Sequence, residues 1–257
     1  MGLFDRLINK KEEASIAFVD YEYWFYSLQN QFGIKPDPKA WADSLDRIPT
    51  EIMVFGEFSG SKGIAEQITV LRTITNTIIE TRQQNGIHKK DMTDFIMLDY
   101  IYQTSVKRKD ISTYIIFTGD GHFQSVVKYL TSIGKKVVVY GVRGTFSSAL
   151  QNVASETVII PDEETTYREY TKMIVSYLDY TQTKISIIPT FNGTVSAVVK
   201  NNRNVSEELV KQTLQRLLDE GLITRKKSTV SADKKVQIIR PEWQKLHDAG
   251  FADNQSS

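Results

Sequence analysis

The chain has 257 residues, 40% hydrophobic and 25% charged with a formal net charge of +1, the profile of a globular protein of one large or two modest domains. It contains no cysteine, which excludes a disulfide framework and a thiolate zinc site; with only His88, His122 and His247 available, any metal must be held mainly by oxygen. No apolar run approaches the roughly 18 residues that span a bilayer, and Met1-Gly2-Leu3-Phe4-Asp5-Arg6 lacks a signal peptide's apolar core, so a cytoplasmic protein is expected.

Leu3, Phe4, Leu7 and Ile8 share one face of a short N-terminal helix, and Arg6 stands where a myristoylation motif at Gly2 needs Ser or Thr. After Lys10-Lys11-Glu12-Glu13 a first strand is predicted over about 15–20, ending at Asp20, followed by an aromatic helical turn, Tyr21-Glu22-Tyr23-Trp24-Phe25-Tyr26. Pro36 and Pro38 precede a helix near 39–47. A strand near 51–57 leads to a helix over 62–73 with Ile64, Ile68 and Leu71 on one face, then a strand over 76–81 and the loop Gln83-Gln84-Asn85-Gly86. A helix over 91–105, capped by Asp91, places Phe95, Leu98, Ile101 and Tyr102 at helical spacing. Strands at 113–118, 136–140 and 157–160 alternate with helices at 122–132 and 145–153. The strands are continuous β-branched runs, and with intervening helices this predicts an α/β fold: a parallel sheet covered on both faces.

The pattern changes after the acidic stretch Pro161-Asp162-Glu163-Glu164, which suits a linker. Helices follow at 167–180, 190–200 and 206–220. The last is capped by Ser206, carries Leu209, Val210, Leu214, Leu217 and Leu218 as its apolar face, and stops at Gly221. Two basic strands, 222–227 and 234–240, complete a winged-helix pattern. The predicted domains are 1–164, 165–251 and a disordered tail, 252–257. Residues 1–165 carry 18 basic and 21 acidic groups, a net −3, against 14 and 10 in residues 166–257, a net +4. The second domain is therefore the better candidate for touching phosphates, through Arg225, Lys226, Lys227, Lys234 and Lys235. Winged helices also serve as dimerisation and protein-docking modules, so a homodimer is compatible with this part of the chain, and Glu207, Glu208, Asp219 and Glu220 make the 206–220 helix itself a poor match for phosphates.

Asp20 and Asp120 both follow strands, and in a wound parallel sheet the carboxyl ends of strands border the ligand crevice. Each could instead simply cap the next helix. Asp94 shares a helix face with Asp91, whereas Asp99 lies five residues on, roughly 140° round the axis, and suits a solvated face as well as a site. Carboxylates gathered in one crevice repel one another and are tolerated best around a hard dication such as Mg²⁺ or Mn²⁺.

Val19-Asp20-Tyr21-Glu22-Tyr23-Trp24, Thr93-Asp94-Phe95-Ile96-Met97-Leu98-Asp99, Ile116-Phe117-Thr118-Gly119-Asp120-Gly121-His122-Phe123, Gly141 and Phe146-Ser147-Ser148-Ala149-Leu150 together resemble the NYN domain of the PIN-like nucleases, over about residues 15–161. The resemblance implies a ribonuclease dependent on Mg²⁺ or Mn²⁺, with Asp20, Asp94 and Asp120 as metal ligands and catalytic residues. Asp99, His122, Thr118, Ser147 and Tyr23 are supporting candidates, with Ser148 a further hydroxyl at the same turn. RNA would be the partner, or DNA through the winged helix, and no membrane. Two departures stand out. Many members have Asp-Gly-Glu-Asn where this chain has Asp20-Tyr21-Glu22-Tyr23, and Gly-Asp-Ser-Asp-Phe where it has Gly119-Asp120-Gly121-His122-Phe123. They leave open a second reading, a catalytically degenerate module that binds RNA or protein.

Overall fold

A computed structural model describes residues 14–59, 62–81, 92–184, 186–202, 205–231 and 234–252. The expected N-terminal apolar face, the loop at 83–86, Asp91, His88, Arg203, Asn204 and the tail from 253 lie outside the described residues, as do the side chains of Lys234 and Lys235. The chain divides into two compact units: residues up to Leu28 with Lys35–Ile160, and Gln29–Ile34 with Pro161 onward.

The first unit is built on six strands, β1 (Ala14–Asp20), β2 (Glu51–Gly56), β3 (Thr77–Glu80), β4 (Ile111–Phe117), β5 (Lys136–Val142) and β6 (Glu156–Ile160), all parallel in the order β3-β2-β1-β4-β5-β6. β1 and β4, at the centre, are buried almost throughout, because a strand with helices on both faces has no wet side. One face packs Ile16, Phe18, Tyr114, Ile116 and Val139 against Met97, Ile101, Val126 and Leu130 of helices α5 (Met92–Lys107) and α6 (Gln124–Ser132). The alternate residues of the same strands meet aromatic side chains from α1 (Tyr21–Phe32) and α2 (Pro38–Asp43): Phe117 lies 4.2 Å from Trp24 and 5.8 Å from Trp41, centroid to centroid. Trp24 is almost wholly buried, and truncating it to Ala would cost about 3–5 kcal/mol.

Several element boundaries differ from expectation. The aromatic turn extends into a twelve-residue helix, α1, ended by Gly33, whose φ of 69° is the left-handed stop that glycine adopts freely. The helix expected over 62–73 is two short ones, α3 (Lys62–Ala65) and α4 (Ile68–Leu71); Gln67 N bonds Ile64 O three residues back, and the β-branched run Ile68-Thr69-Val70 propagates a helix poorly. On α5 the buried stripe is Met97, Ile101, Thr104 and Ser105, while Phe95 is 65% exposed and Tyr102 38%. The 145–153 helix shrinks to α7 (Ser148–Gln151).

In the second unit, the acidic stretch at 161–164 opens a helix: Asp162 accepts a bond from Thr165 N at 2.9 Å, and α8 (Glu163–Gln182) begins on acidic residues that suit a helix N-terminus. α9 (Phe191–Asn201) and α10 (Glu207–Asp219) are capped by Thr190 and Ser206. β7 (Ile223–Ser231) and β8 (Lys234–Pro241) pair antiparallel, and a short helix that the sequence pattern did not reveal, α11 (Trp243–Asp248), follows. Ile174, Leu178, Val198, Val210, Leu214, Leu217, Ile223 and Leu246 form this unit's core. Among the described residues no helix is long and apolar enough to cross a membrane.

Candidate active site

The strand order runs outward from β1 to β3 and then restarts at β4, so the chain leaves β1 and β4 toward opposite faces and a crevice opens beyond their carboxyl ends. Asp20 is the last residue of β1. Its Oδ1 accepts the backbone N–H of Tyr23 at 3.0 Å, capping α1. The side chain is 6% exposed, and its pKa is pushed up to about 8, first by burial, with the charges of Asp94, Glu22 and Asp120 adding to the effect and the Tyr23 N–H opposing it.

Asp120 follows β4 after Thr118-Gly119 and precedes a single 3-10 turn, Gly121–Phe123; its Oδ1 accepts the His122 N–H at 2.8 Å. Both aspartates therefore do cap helical turns, and capping fixes one oxygen of each carboxylate at the crevice rim. Asp94 comes from the first turn of α5, which packs against β1. One ligand atom each from Asp94, Asp120 and His122 lie within 4.8 Å of one another, and His122 Nδ1 is 3.3 Å from Asp120 Oδ1. That spacing is about twice a metal–ligand bond of roughly 2.0–2.5 Å, so a single ion can be shared. Two carboxylates and an imidazole beside a buried carboxyl that resists ionising are a donor set that fits a dication.

Supporting residues surround this group. Thr118 is fully buried and its Oγ1 accepts the Asp120 N–H at 3.3 Å, setting the turn that carries Asp120. The Ser147 N–H bonds Gly119 O at 3.0 Å, and its hydroxyl lies against Gly121, while Ser148 is exposed. Tyr23 lays its phenol across Gly119, where any Cβ would strike it; there its hydroxyl accepts the Val142 N–H at 2.8 Å and pairs with Thr145 Oγ1 at 3.0 Å. The Thr145 hydrogen is committed to Val142 O, so Tyr23 is the donor in that pair. Asp99 is exposed and accepts from Gln103 Nε2 at 2.7 Å on the α5 surface, away from the group that Asp94 joins. Arg225, Lys226 and Lys227 are exposed on β7 of the second unit.

Two contributors were not singled out from sequence. Glu22 Oε2 accepts from Thr93 Oγ1 at 2.8 Å, and Thr93 Oγ1 is 2.7 Å from Thr81 Oγ1, tying the first turns of α1 and α5 together beside Asp20 and Asp94. The signal for Glu22 was an acid two residues beyond a strand-end aspartate; nothing local marks Thr93 as its partner, 71 residues away.

Residues 16–161 match the family model of the NYN domain. The chain belongs to the NYN domain family. NYN domains have a PIN-like nuclease fold, and the family's nucleases depend on metal and act on RNA. No curated protein matches the chain. Among solved structures, a protein of unknown function from Vibrio parahaemolyticus shares the NYN unit's fold at a TM-score of 0.52 and 20% identity, over 60% of this chain and 96% of that one.

Proposed function

We propose that the NYN unit is a metal-dependent endoribonuclease that hydrolyses phosphodiester bonds in single-stranded RNA, with Asp20, Asp94 and Asp120 holding Mg²⁺ or Mn²⁺. The observation that carries this is the meeting of Asp94 and Asp120, brought from α5 and the β4 turn, with His122 at the strand ends beside buried Asp20. The chemistry a bound dication supplies is polarisation of an attacking water and neutralisation of charge growing on the phosphoryl oxygens. The protein's own residues supply position. The Tyr23 N–H orients Asp20, the His122 N–H orients Asp120, and the Glu22–Thr93 bond holds the α5 turn that bears Asp94. Thr118 fixes the Asp120 turn from beneath, and the half-buried Ser147 hydroxyl, which lies against Gly121, would donate to a phosphate oxygen.

In the second unit, the hairpin residues Arg225, Lys226 and Lys227, with Lys234 and Lys235, would neutralise RNA phosphates as the wing of a winged helix. Purified protein incubated with labelled single-stranded RNA and Mn²⁺ is expected to give fragments, and Asp120→Asn, which can still cap the turn, to give none. Equal cleavage by both proteins would remove the site from the reaction. Tyr23 and His122 at family motif positions support one alternative, a binding module without turnover; salt-sensitive RNA binding with no fragments under any dication would favour it.

A further inference from the structure

The family pattern has a carboxylate where this chain has His122, and the geometry shows where that substitution acts. The imidazole does not turn away to cap a helix or pack in the core: it is 73% exposed, with Nδ1 3.3 Å from Asp120 Oδ1 and within the 4.8 Å group that includes Asp94. The backbone N–H of the same residue already holds Asp120, so the ring is free of that task. Exchanging a carboxylate for an imidazole changes the donor set in two ways. It removes one negative charge from the rim, and it introduces nitrogen, which suits first-row transition metals, whereas Mg²⁺ favours oxygen in a near-octahedral shell and keeps its waters.

We infer that His122 is a metal ligand that biases this site toward a transition-metal dication, Mn²⁺ or a later member of that series, and against Mg²⁺. The inference rests on the metal-site reading above and narrows it. The full-length protein, stripped of metal, would be titrated calorimetrically with MnCl₂ and separately with MgCl₂, as wild type, His122→Asp and Asp120→Asn. Wild type is expected to bind Mn²⁺ at least roughly tenfold more tightly than Mg²⁺, and His122→Asp, which restores an all-oxygen set, to shrink that ratio by a similar factor. Pulsed electron paramagnetic resonance of the Mn²⁺-loaded wild type should show coupling to a nitrogen nucleus that disappears in His122→Asp. Because the side chain is exposed, the substitution leaves the core intact. Metal binding that Asp120→Asn abolishes, but whose Mn²⁺-to-Mg²⁺ ratio is the same in His122→Asp, would overturn the role of His122 and leave the metal site standing. Binding of neither metal by wild type would overturn the site itself.

Discussion

Asp20→Asn should stabilise the metal-free protein, and by an amount that depends on pH. The folded-state pKa of Asp20 is raised from an ordinary 3.8 to about 8. Between those values the folded protein retains a proton that the unfolded chain has released, so stability falls as pH rises through the window and levels off above about pH 8. At pH 7 ionisation has been resisted over about three pH units, worth about 4 kcal/mol at roughly 1.4 kcal/mol each. Asparagine has nearly the same shape, still accepts the Tyr23 N–H at the cap, and carries no charge to desolvate. For a unit of this size about 2–4 °C accompanies each kcal/mol, so the gain in Tm at pH 7 is roughly 10 °C. Thermal unfolding in EDTA from pH 5 to 8.5 measures it: the gap between Asp20→Asn and wild type should widen with pH up to about 8 and then level off. Adding Mn²⁺ should then raise the Tm of wild type well above any rise in the variant. A gap that stays constant from pH 5 to 8, or a variant less stable than wild type at pH 7.5 without metal, would refute the account of Asp20 as a desolvated carboxyl among like charges.

Other expectations follow from single contacts. Gly119→Ala forces a methyl into the Tyr23 ring and should destabilise the NYN unit by about 1–3 kcal/mol in urea titration, with part of the loss recovered when Tyr23→Ala is added. Thr93→Val removes the donor to Glu22 and should cost about 1–3 kcal/mol while lowering RNA cleavage, because the turn that carries Asp94 loosens. Charge reversal of Arg225, Lys226 and Lys227 together should weaken RNA binding and flatten its dependence on salt in an anisotropy titration, leaving the Tm unchanged.

What could be read from the sequence followed from strong local signals. β1, β4 and β5 each carry a run of consecutive apolar residues, Ile16–Val19, Tyr114–Phe117 and Val137–Tyr140, which marks them as strands of a parallel sheet covered on both faces, although their order within it does not follow from the sequence; the strand-end rule then directs attention to Asp20 and Asp120 before any coordinate is known. Helix α5 shows the limit of periodicity. It is apolar nearly all round, so spacing alone offered the stripe 95, 98, 101, 102, whereas packing chose Met97, Ile101, Thr104 and Ser105, two of them small hydroxyl residues that let the helix approach the core closely. The same ambiguity left Asp99 undecided until its surface bond to Gln103 was seen. Contacts between distant residues, such as Glu22 with Thr93 or Tyr23 with Val142, leave no trace in either local sequence.

The two departures from the family pattern have different physical characters. Tyr23 is consumed by structure: its hydroxyl donates to Thr145 and accepts from Val142, its ring covers Gly119, and burial holds its pKa up to about 12, so it has neither a free donor nor a labile proton to offer a substrate. His122 is the reverse, an exposed ring whose nitrogen lies among the carboxylates with no packing role. Restoring the family amide by Tyr23→Asn would therefore open the β4–β5 rim and leave the Val142 N–H without its partner, while metal preference stays as it was. Restoring the carboxylate at 122 would do the opposite, changing metal preference while leaving the packing of the rim intact. Measuring both variants for Tm and for the Mn²⁺-to-Mg²⁺ affinity ratio separates the two roles; a Tyr23→Asn protein with unchanged Tm and an altered ratio would show that the phenol, and not the imidazole, sets the chemistry of the crevice.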